Sequence, residues 1–479
     1  MDNWKSYNEF IKILKELLSF ILDYVELYNL RLPLNDGNLE KNGGDPNYDI
    51  YITNINNTNI KGYTKADSLH YYTPNPHDVN TYINISCSLN YELLKVVLFH
   101  EFFHAIQASY DWFEKSWISE GLAVTFEYIL NDTNSLSPKY FISNLLNERN
   151  LSLGNIGNMQ INSDGYITTL NTNSQDYLLG KVLLEIDKIY SNNEEIEFSS
   201  SNIPNIELRS KNDGSIFVED VRIINKNGKD FLQIILDSNR HYKYMEFYMY
   251  VNSKKVTNIV VSNTIRQYGT FAFFYYLIEQ YGEPIIKKLL ENSIEYNNYD
   301  LIDFTIKEFN SSSNFMNELV NFWCAVELMT NNDIVEKKYR LSQSEIWKKY
   351  YTKNKNYLIL NNINNGSVTV NNLENTGCYI TNLVFNGRKA CVKIEGNFNK
   401  TLLRKKLIIE YQDGNYHIID IGNNNEFNID GNTYVYQYKL IIIADVNFPD
   451  NESITLSLNE SVDEFNPNLM EFKIKVLEN

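Results

Sequence analysis

The chain has 479 residues, of which 43% are hydrophobic, and a sequence of this length and composition predicts roughly two to four globular domains. Its formal net charge at pH 7 is −17, and so acidic a surface repels the phosphate groups of nucleic acids. A nucleic acid is therefore excluded as an expected partner, and an anionic membrane surface is disfavoured for the same reason.

Residues 1–90 predict the N-terminal helix and strands of a catalytic unit. Apolar residues recur at helical spacing from Phe10 to Leu22, and the charges between them exclude the uninterrupted apolar segment of a signal peptide. Strands are predicted at 48–52 and 80–86, with a polar loop between them. The second strand, NTYINIS, is either an edge strand that pairs with a bound peptide or an ordinary sheet strand. No apolar stretch of the sequence is long enough to span a membrane.

An apolar helix is predicted to begin near Tyr91, and it carries the motif HEFFH. His100 and His104 are four residues apart and therefore lie on one face of a helix, where both imidazoles can bind one ion. Zinc favours nitrogen ligands, and Glu101 can take the proton of a water on the metal. Random occurrence would produce this motif only about 0.005 times in a chain with six histidines, so we predict a zinc site.

The third zinc ligand is expected on a second helix, which is predicted to run from Trp117 past Tyr128. Glu120 lies in its first turn, and zinc sites with two histidines and one glutamate take their third ligand from such a helix. Glu127 lies seven residues further along the same face. It is either a rival ligand or, in the preferred interpretation, a group that orients a histidine. The small residues that begin with Gly121 predict close packing against the metal-binding helix.

The rest of the chain alternates between helical and strand patterns. A helix is predicted at 176–190, near the end of a metal-binding helical region assigned to 91–194. Residues 195–262 alternate between apolar and polar and predict a β-rich insert, and helical spacing returns at 263–350. Short strands separated by Asn-Gly and Asp-Gly turns predict an all-β sandwich at 356–479, so the fold class is α+β.

The four cysteines are too sparse for a disulfide framework, and none forms a CxxC pair. Cys378 and Cys391 flank a hairpin turn predicted at 386–387. A two-residue turn would place Cys391 opposite Asn382 instead of Cys378. We therefore expect free, buried thiols.

HEFFHAIQ followed by WxxEGxA resembles the gluzincin clan of zinc metallopeptidases. More closely, it resembles bacterial proteins that combine HE[FY]FHAxQ with a tryptophan–glutamate motif, a tyrosine-containing helix and a C-terminal β domain. This resemblance implies a zincin-like catalytic domain with Zn²⁺ bound by His100, His104 and Glu120, with Glu101 as general base. It also implies a protein or peptide substrate and a secreted, extracellular location. The chain departs from the pattern at Ser116, where a second tryptophan is usual, and in its β-rich insert, which can reshape the substrate cleft.

Peptide hydrolysis passes through an oxyanion, and a tyrosine, histidine or arginine usually helps the metal to stabilise it. Tyr268 precedes the apolar helix FAFFYYLIEQYG and occupies the place of the tyrosine in the resembling proteins, so it is the first candidate. Tyr177 and His241 are the alternatives. The three remaining histidines are expected on the surface or in loops: His70, His77 and His417.

The pattern as a whole favours a zinc-dependent metallopeptidase. An endopeptidase is favoured over an aminopeptidase because the sequence has no acidic amine-binding motif of the GxMEN type. The first alternative is a catalytically silent binding or surface protein that keeps the same scaffold, and a second is a zinc hydrolase of non-peptide amides or esters. The sequence leaves the oligomeric state open.

Overall fold

The computed structural model describes most of the chain in ranges separated by gaps. The described residues are 7–35, 45–55, 61–68, 77–131, 141–147, 149, 153, 160–163, 170–171, 183–186, 188–191, 194–199, 201–210, 218–226, 228–236, 244–262, 266–333, 335–351, 357–359, 366–373, 376–384, 390–396, 403–422, 424–429, 435–444 and 470–478. The first unit comprises Met1–Gly154, Gln267–Phe448 and Leu469–Asn479, and the second comprises Asn155–Arg266 and Pro449–Asn468.

The first unit begins with helix α1 (Tyr7–Leu27) and a three-stranded sheet. Its strands are β1 (Ile50–Thr53), β2 (Gly62–Ser68) and β3 (Asn80–Ser86), and their order is β1-β3-β2. Strand β1 runs parallel to β3, and β2 runs antiparallel to it. The helix and the strand at 80–86 are confirmed, and β2 lies where the sequence predicted a loop.

Of the two alternatives for NTYINIS, the ordinary sheet strand is confirmed and the edge strand is excluded, because β3 is the central strand of this sheet. Its partly exposed residues alternate with buried ones from Asn80 to Ile85, because one face of the sheet covers the core and the other is more open to solvent. Among the described strands, β1 and β2 are the two edges of this sheet, one on each side of β3.

Three helices follow: α2 (Tyr91–Ala108), α3 (Ser116–Leu130) and the short α4 (Ser143–Asn147). Helix α2 begins at Asn90, whose side chain accepts a hydrogen bond from the backbone N–H of Leu93. It packs against β2, β3 and α3. The predicted helix starts near Tyr91 and Trp117 are confirmed.

The described residues of the second unit are mostly in strands. They are β4 (Gln160–Ser163), β5 (Leu170–Asn171), β6 (Leu183–Ile186), β7 (Ile189–Ser191), β8 (Glu194–Ile196), β9 (Ile206–Ser210), β10 (Val218–Lys226), β11 (Lys229–Leu236), β12 (Tyr244–Val251) and β13 (Lys254–Ser262). Two four-stranded sheets, ordered β10-β11-β6-β5 and β4-β13-β12-β9, share one apolar core that includes Leu232 and Met249. Strands β7 and β8 form a separate pair.

The helix predicted at 176–190 is wrong over its described part, which forms β6 and β7. The segment KVLLEIDKIY has apolar residues at both helical and strand spacing, so its local pattern is ambiguous. Strand pairing determines that this segment is extended and not helical, because β6 forms an antiparallel pair with β11. The strands of this region also begin at Gln160, well before the predicted start at residue 195.

The chain then returns to helices of the first unit. They are α5 (Arg266–Gly269), which belongs to this unit from Gln267 onward, α6 (Phe271–Tyr281), α7 (Pro284–Asn292), α8 (Asn298–Phe309), α9 (Phe315–Leu328), the 3₁₀ turn Lys337–Tyr339 and α10 (Ser344–Trp347). Helix α3 packs against α6. No helix in the described ranges combines the length and the apolar character needed to cross a bilayer.

The close packing predicted for Gly121 occurs against a different partner. A Cβ atom at this position would overlap Thr270 Oγ1 and lie 2.8 Å from the ring of Phe274. Helix α3 does pack against the metal-binding helix α2, as expected, but the space at Gly121 itself is taken up by α6 and the residue before it. The helix face that bears Glu120 points toward α2.

Nine strands complete the described part of the first unit. They are β14 (Tyr357–Ile359), β15 (Gly366–Leu373), β16 (Cys378–Val384), β17 (Ala390–Gly396), β18 (Leu403–Tyr411), β19 (Tyr416–Gly422), β20 (Glu426–Ile429), β21 (Val435–Ala444) and β22 (Met470–Glu478). One sheet has the order β14-β16-β21-β18-β19 and the other β15-β22-β17-β20. Residues of both sheets, among them Leu440 and Val392, form one apolar core, as two sheets packed face to face require.

The hairpin predicted between Cys378 and Cys391 is wrong. Strand β16 pairs with β14 and β21, whereas β17 belongs to the opposite sheet. An Asn-Gly pair signals a turn but does not determine which strands pair, and here the chain passes from one sheet to the other. The turn at 386–387 lies outside the described residues. All four cysteines are free and all but Cys87 are buried, so the expectation of free thiols is confirmed.

Candidate metal centre

Two adjacent turns of α2 and the first part of α3 bring three side chains to one point. The Nε2 atoms of His100 and His104 are 3.1 Å apart, and the two rings are nearly perpendicular, at 88°. The Oε2 atom of Glu120 lies 3.2 Å from each of these nitrogens. The four-residue spacing on one helix and the packing of α3 on α2 together produce a triangle of electron-pair donors.

The dimensions of this triangle fit a small divalent cation. Three nitrogen and oxygen ligands of a tetrahedral zinc ion, with bonds near 2.0–2.1 Å, lie about 3.3–3.4 Å apart. The observed separations of 3.1 and 3.2 Å are close to that value. Within the described part of the chain, His100, His104 and Glu120 are the group of side chains that could hold a metal ion.

The surroundings of the triangle favour positive charge. Glu120 is buried, and the side chains of both histidines are mostly buried. Burial alone lowers the pKa of His100. The hydrogen bond with Glu120 and the charges of Glu101, Glu120 and Glu127 outweigh that effect and raise the pKa to about 9. The same negative charges would favour a metal cation, which would bind in place of the proton.

Glu127 faces the other side of the His100 ring. Its Oε2 atom lies 3.9 Å from Nδ1, the nitrogen that does not take part in the triangle, and its side chain is buried. The residue is therefore outside the ligand triangle in this geometry. Its position matches a group that orients His100.

Glu101 lies beside the triangle and contacts β2. The hydroxyl of Thr64 is 2.9 Å from its carboxylate Oε2 and 2.7 Å from its backbone carbonyl oxygen. This contact depends on Gly62, because a Cβ atom there would lie 2.5 Å from Val97 Cγ1 and 3.3 Å from Glu101 Cγ. The edge strand therefore approaches α2 closely at the residue expected to act as the base. Thr64 does not belong to any recognised sequence motif, and its contact with Glu101 was not predicted.

Tyr268 also reaches the site. Its ring centroid is 5.8 Å from that of His100, and the ring stacks on Phe141 at 4.9 Å. Burial, together with the nearby carboxylates of Glu120 and Glu101, raises the pKa of the phenol well above its usual value. The hydroxyl therefore remains protonated at neutral pH and can donate a hydrogen bond.

The other candidates lie elsewhere. Tyr177, His241 and His70 are outside the described residues. His77 lies in a turn, with its Nδ1 3.6 Å from a carboxylate oxygen of Asp111, and His417 is exposed on β19.

Gln107 is a further residue at the site that we did not predict from the sequence. Its Oε1 lies 2.7 Å from Nδ1 of His104, and its Nε2 donates to the backbone carbonyl of Ser119 at 3.0 Å. The only sequence feature that pointed to this residue was the final glutamine of HE[FY]FHAxQ, the pattern of the bacterial proteins that the chain resembles.

No protein-family model matches the chain, and no curated protein matches its sequence.

Proposed function

We propose that the chain is a zinc-dependent metallopeptidase with a zincin-like catalytic region, and that endopeptidase activity is its main reaction. One observation carries the proposal: His100, His104 and Glu120 converge within 3.2 Å of one another, with Glu101 next to the first ligand. The motif resemblance to the gluzincin clan supports the same assignment. The secreted location implied by that resemblance remains a prediction.

In this proposal His100, His104 and Glu120 hold the zinc ion. When bound, zinc acts as a Lewis acid that polarises the scissile carbonyl and makes water more acidic at neutral pH. Glu101 accepts the proton of the attacking water and delivers it to the leaving amine. The phenol of Tyr268 donates a hydrogen bond to the oxyanion that develops on the carbonyl oxygen.

Strand β2 is the proposed binding edge for the substrate backbone. It is an edge strand among the described residues, and its residue Thr64 donates a hydrogen bond to the carboxylate of Glu101. An extended peptide that pairs with such an edge would run past Glu101. Its backbone would then continue on both sides of the scissile bond. This arrangement favours an internal cleavage site over a chain terminus.

The substitution Glu101→Gln tests the proposal. The variant should retain zinc, because the ligand triangle is intact, and should lose hydrolysis by about 10²–10⁴-fold, because the proton acceptor is gone. The assay measures cleavage of a dye-labelled unfolded protein and of a mixed peptide library, alongside the metal content. Glu92→Gln, an exposed position on the same helix, is the matched control and should retain full activity.

Two outcomes contradict the proposal. Wild-type protein with bound zinc but no cleavage in the peptide library would leave a catalytically silent binding protein. Cleavage that survives Glu101→Gln at the wild-type rate would remove Glu101 from its role as base.

A further inference from the structure

Gln107 contacts two elements of the metal centre at once. It follows His104 by three residues on α2 and is buried. One end of its amide meets the imidazole of His104, and the other meets the backbone carbonyl of Ser119, the residue before Glu120. The side chain therefore lies between the second and the third residue of the ligand triangle.

The chemistry of these contacts fixes their direction. A backbone carbonyl can only accept a hydrogen bond, so the NH₂ group of Gln107 must face Ser119. The carbonyl oxygen of the amide then faces His104, and an oxygen at 2.7 Å requires an N–H on Nδ1. A neutral imidazole with its proton on Nδ1 has its lone pair on Nε2. That Nε2 atom is the one in the triangle with His100 and Glu120.

We propose that Gln107 is a positioning residue of the metal centre, which selects the Nε2-ligating tautomer of His104 and couples that ring to the backbone before Glu120. The inference rests on the proposed function, because it needs a metal at the triangle. A single neutral amide thus orients one ligand and restrains the start of another.

A glutamine suits this position better than a carboxylate. Glu101, Glu120 and Glu127 already surround the triangle, so another charge here would add to their mutual repulsion. A carboxylate also has no N–H to donate to Ser119. It would still accept the proton of Nδ1, so Gln107→Glu separates the two functions of the amide.

The test compares Gln107→Met, Gln107→Glu and wild type in the full-length protein. Zinc affinity is measured by competition with a chromophoric chelator, and the tautomer of His104 is read from ¹⁵N chemical shifts of the metal-free protein. Gln107→Met should weaken zinc binding by about 10–100-fold and yield a mixture of tautomers. Gln107→Glu should recover the Nδ1–H tautomer and bind zinc with intermediate affinity.

Thr125→Val is the control for a structural effect. It removes a buried hydrogen bond to the carbonyl of Gly121 in the same helix that carries Glu120, at a residue outside the ligand triangle. It should lower the melting temperature without changing zinc affinity or the tautomer of His104.

Wild-type zinc affinity in Gln107→Met, with the Nδ1–H tautomer still dominant, would overturn the inference and leave the proposed function standing. Wild-type protein that binds no zinc would instead overturn the proposed function, and the role of Gln107 with it.

Discussion

At the scale of single residues, three polar groups of the metal centre each have a neighbour that can support them. Gln107 contacts His104, Glu127 faces His100, and Thr64 contacts Glu101. The partners come from α2, α3 and β2, so the geometry of the site depends on how three elements pack. Such supporting contacts hold reactive groups in position before substrate arrives, which reduces the reorganisation that catalysis requires.

Thr64 offers a test of this arrangement. The substitution Thr64→Val keeps the shape of the side chain and removes the hydroxyl near the Glu101 carboxylate. We expect kcat to fall by about tenfold because the base loses its orienting contact, while zinc affinity remains unchanged. Steady-state kinetics and chelator competition measure the two quantities separately.

Thr53→Val is the matched control for Thr64. Thr53 lies on β1, at the opposite edge of the same sheet, and donates a hydrogen bond to Asn84. Its loss should leave kcat unchanged. Equal effects of the two substitutions on kcat would mean that Thr64 acts only through the stability of the sheet.

At the scale of elements, the loop between α2 and α3 connects the two ligand-bearing helices and contains buried carboxyl groups. Glu114 Oε1 accepts hydrogen bonds from the backbone N–H groups of Lys115 and, at the start of α8, Asn298. Its Oε2 is buried with no hydrogen-bond partner among the described residues. Burial and the charge of Asp111 raise the pKa of Glu114 to about 8, and burial raises that of Asp111 to about 7.

These pKa shifts predict how stability depends on pH. A carboxyl whose folded pKa exceeds its unfolded value binds more protons in the folded state between the two values. For Glu114 the stabilisation is complete below about pH 4.5 and is lost as the pH rises toward 8. Glu114→Gln should therefore be more stable than wild type at pH 9, by about 1–3 kcal/mol, with a smaller difference at pH 5.

Chemical unfolding of the metal-free protein at the two pH values checks this prediction. Glu92→Gln again serves as the control, since its carboxylate is exposed on α2. An equal difference between Glu114→Gln and wild type at both pH values would show that Glu114 is not the titrating group.

At the scale of the whole molecule, buried polar contacts join the last sheets of the first unit to its helices. Glu327 on α9 lies 3.3 Å from Lys439 Nζ on β21 and accepts a hydrogen bond from Tyr351 at 2.8 Å. Lys406 on β18 donates to Asn321 of α9 at 2.7 Å. Buried charges need a partner of opposite charge or hydrogen-bond partners, and α9 supplies such partners to both lysines of the sheets.

The sequence predicted the parts of the site that are encoded locally. The spacing of His100 and His104 on an apolar helix, and of Glu120 on the next one, follows from helical periodicity and a short motif. The contacts of Thr64 and Gln107 depend on how β2 and α3 pack against α2, which no local pattern specifies. The segment 176–190 shows the same limit, because pairing with β11 overrode an ambiguous periodicity.

The zinc stoichiometry of the purified protein shows whether His100, His104 and Glu120 bind a metal ion. Wild type, Glu120→Ala and the exposed control Glu92→Ala are loaded with zinc, dialysed and examined by elemental analysis. Wild type and the control should retain about one zinc per chain, and Glu120→Ala should bind it at least about tenfold more weakly. A wild-type protein that retains no zinc after loading would overturn the proposed metal centre. Full retention by Glu120→Ala would assign the third ligand to another residue, with Glu127 the first to test.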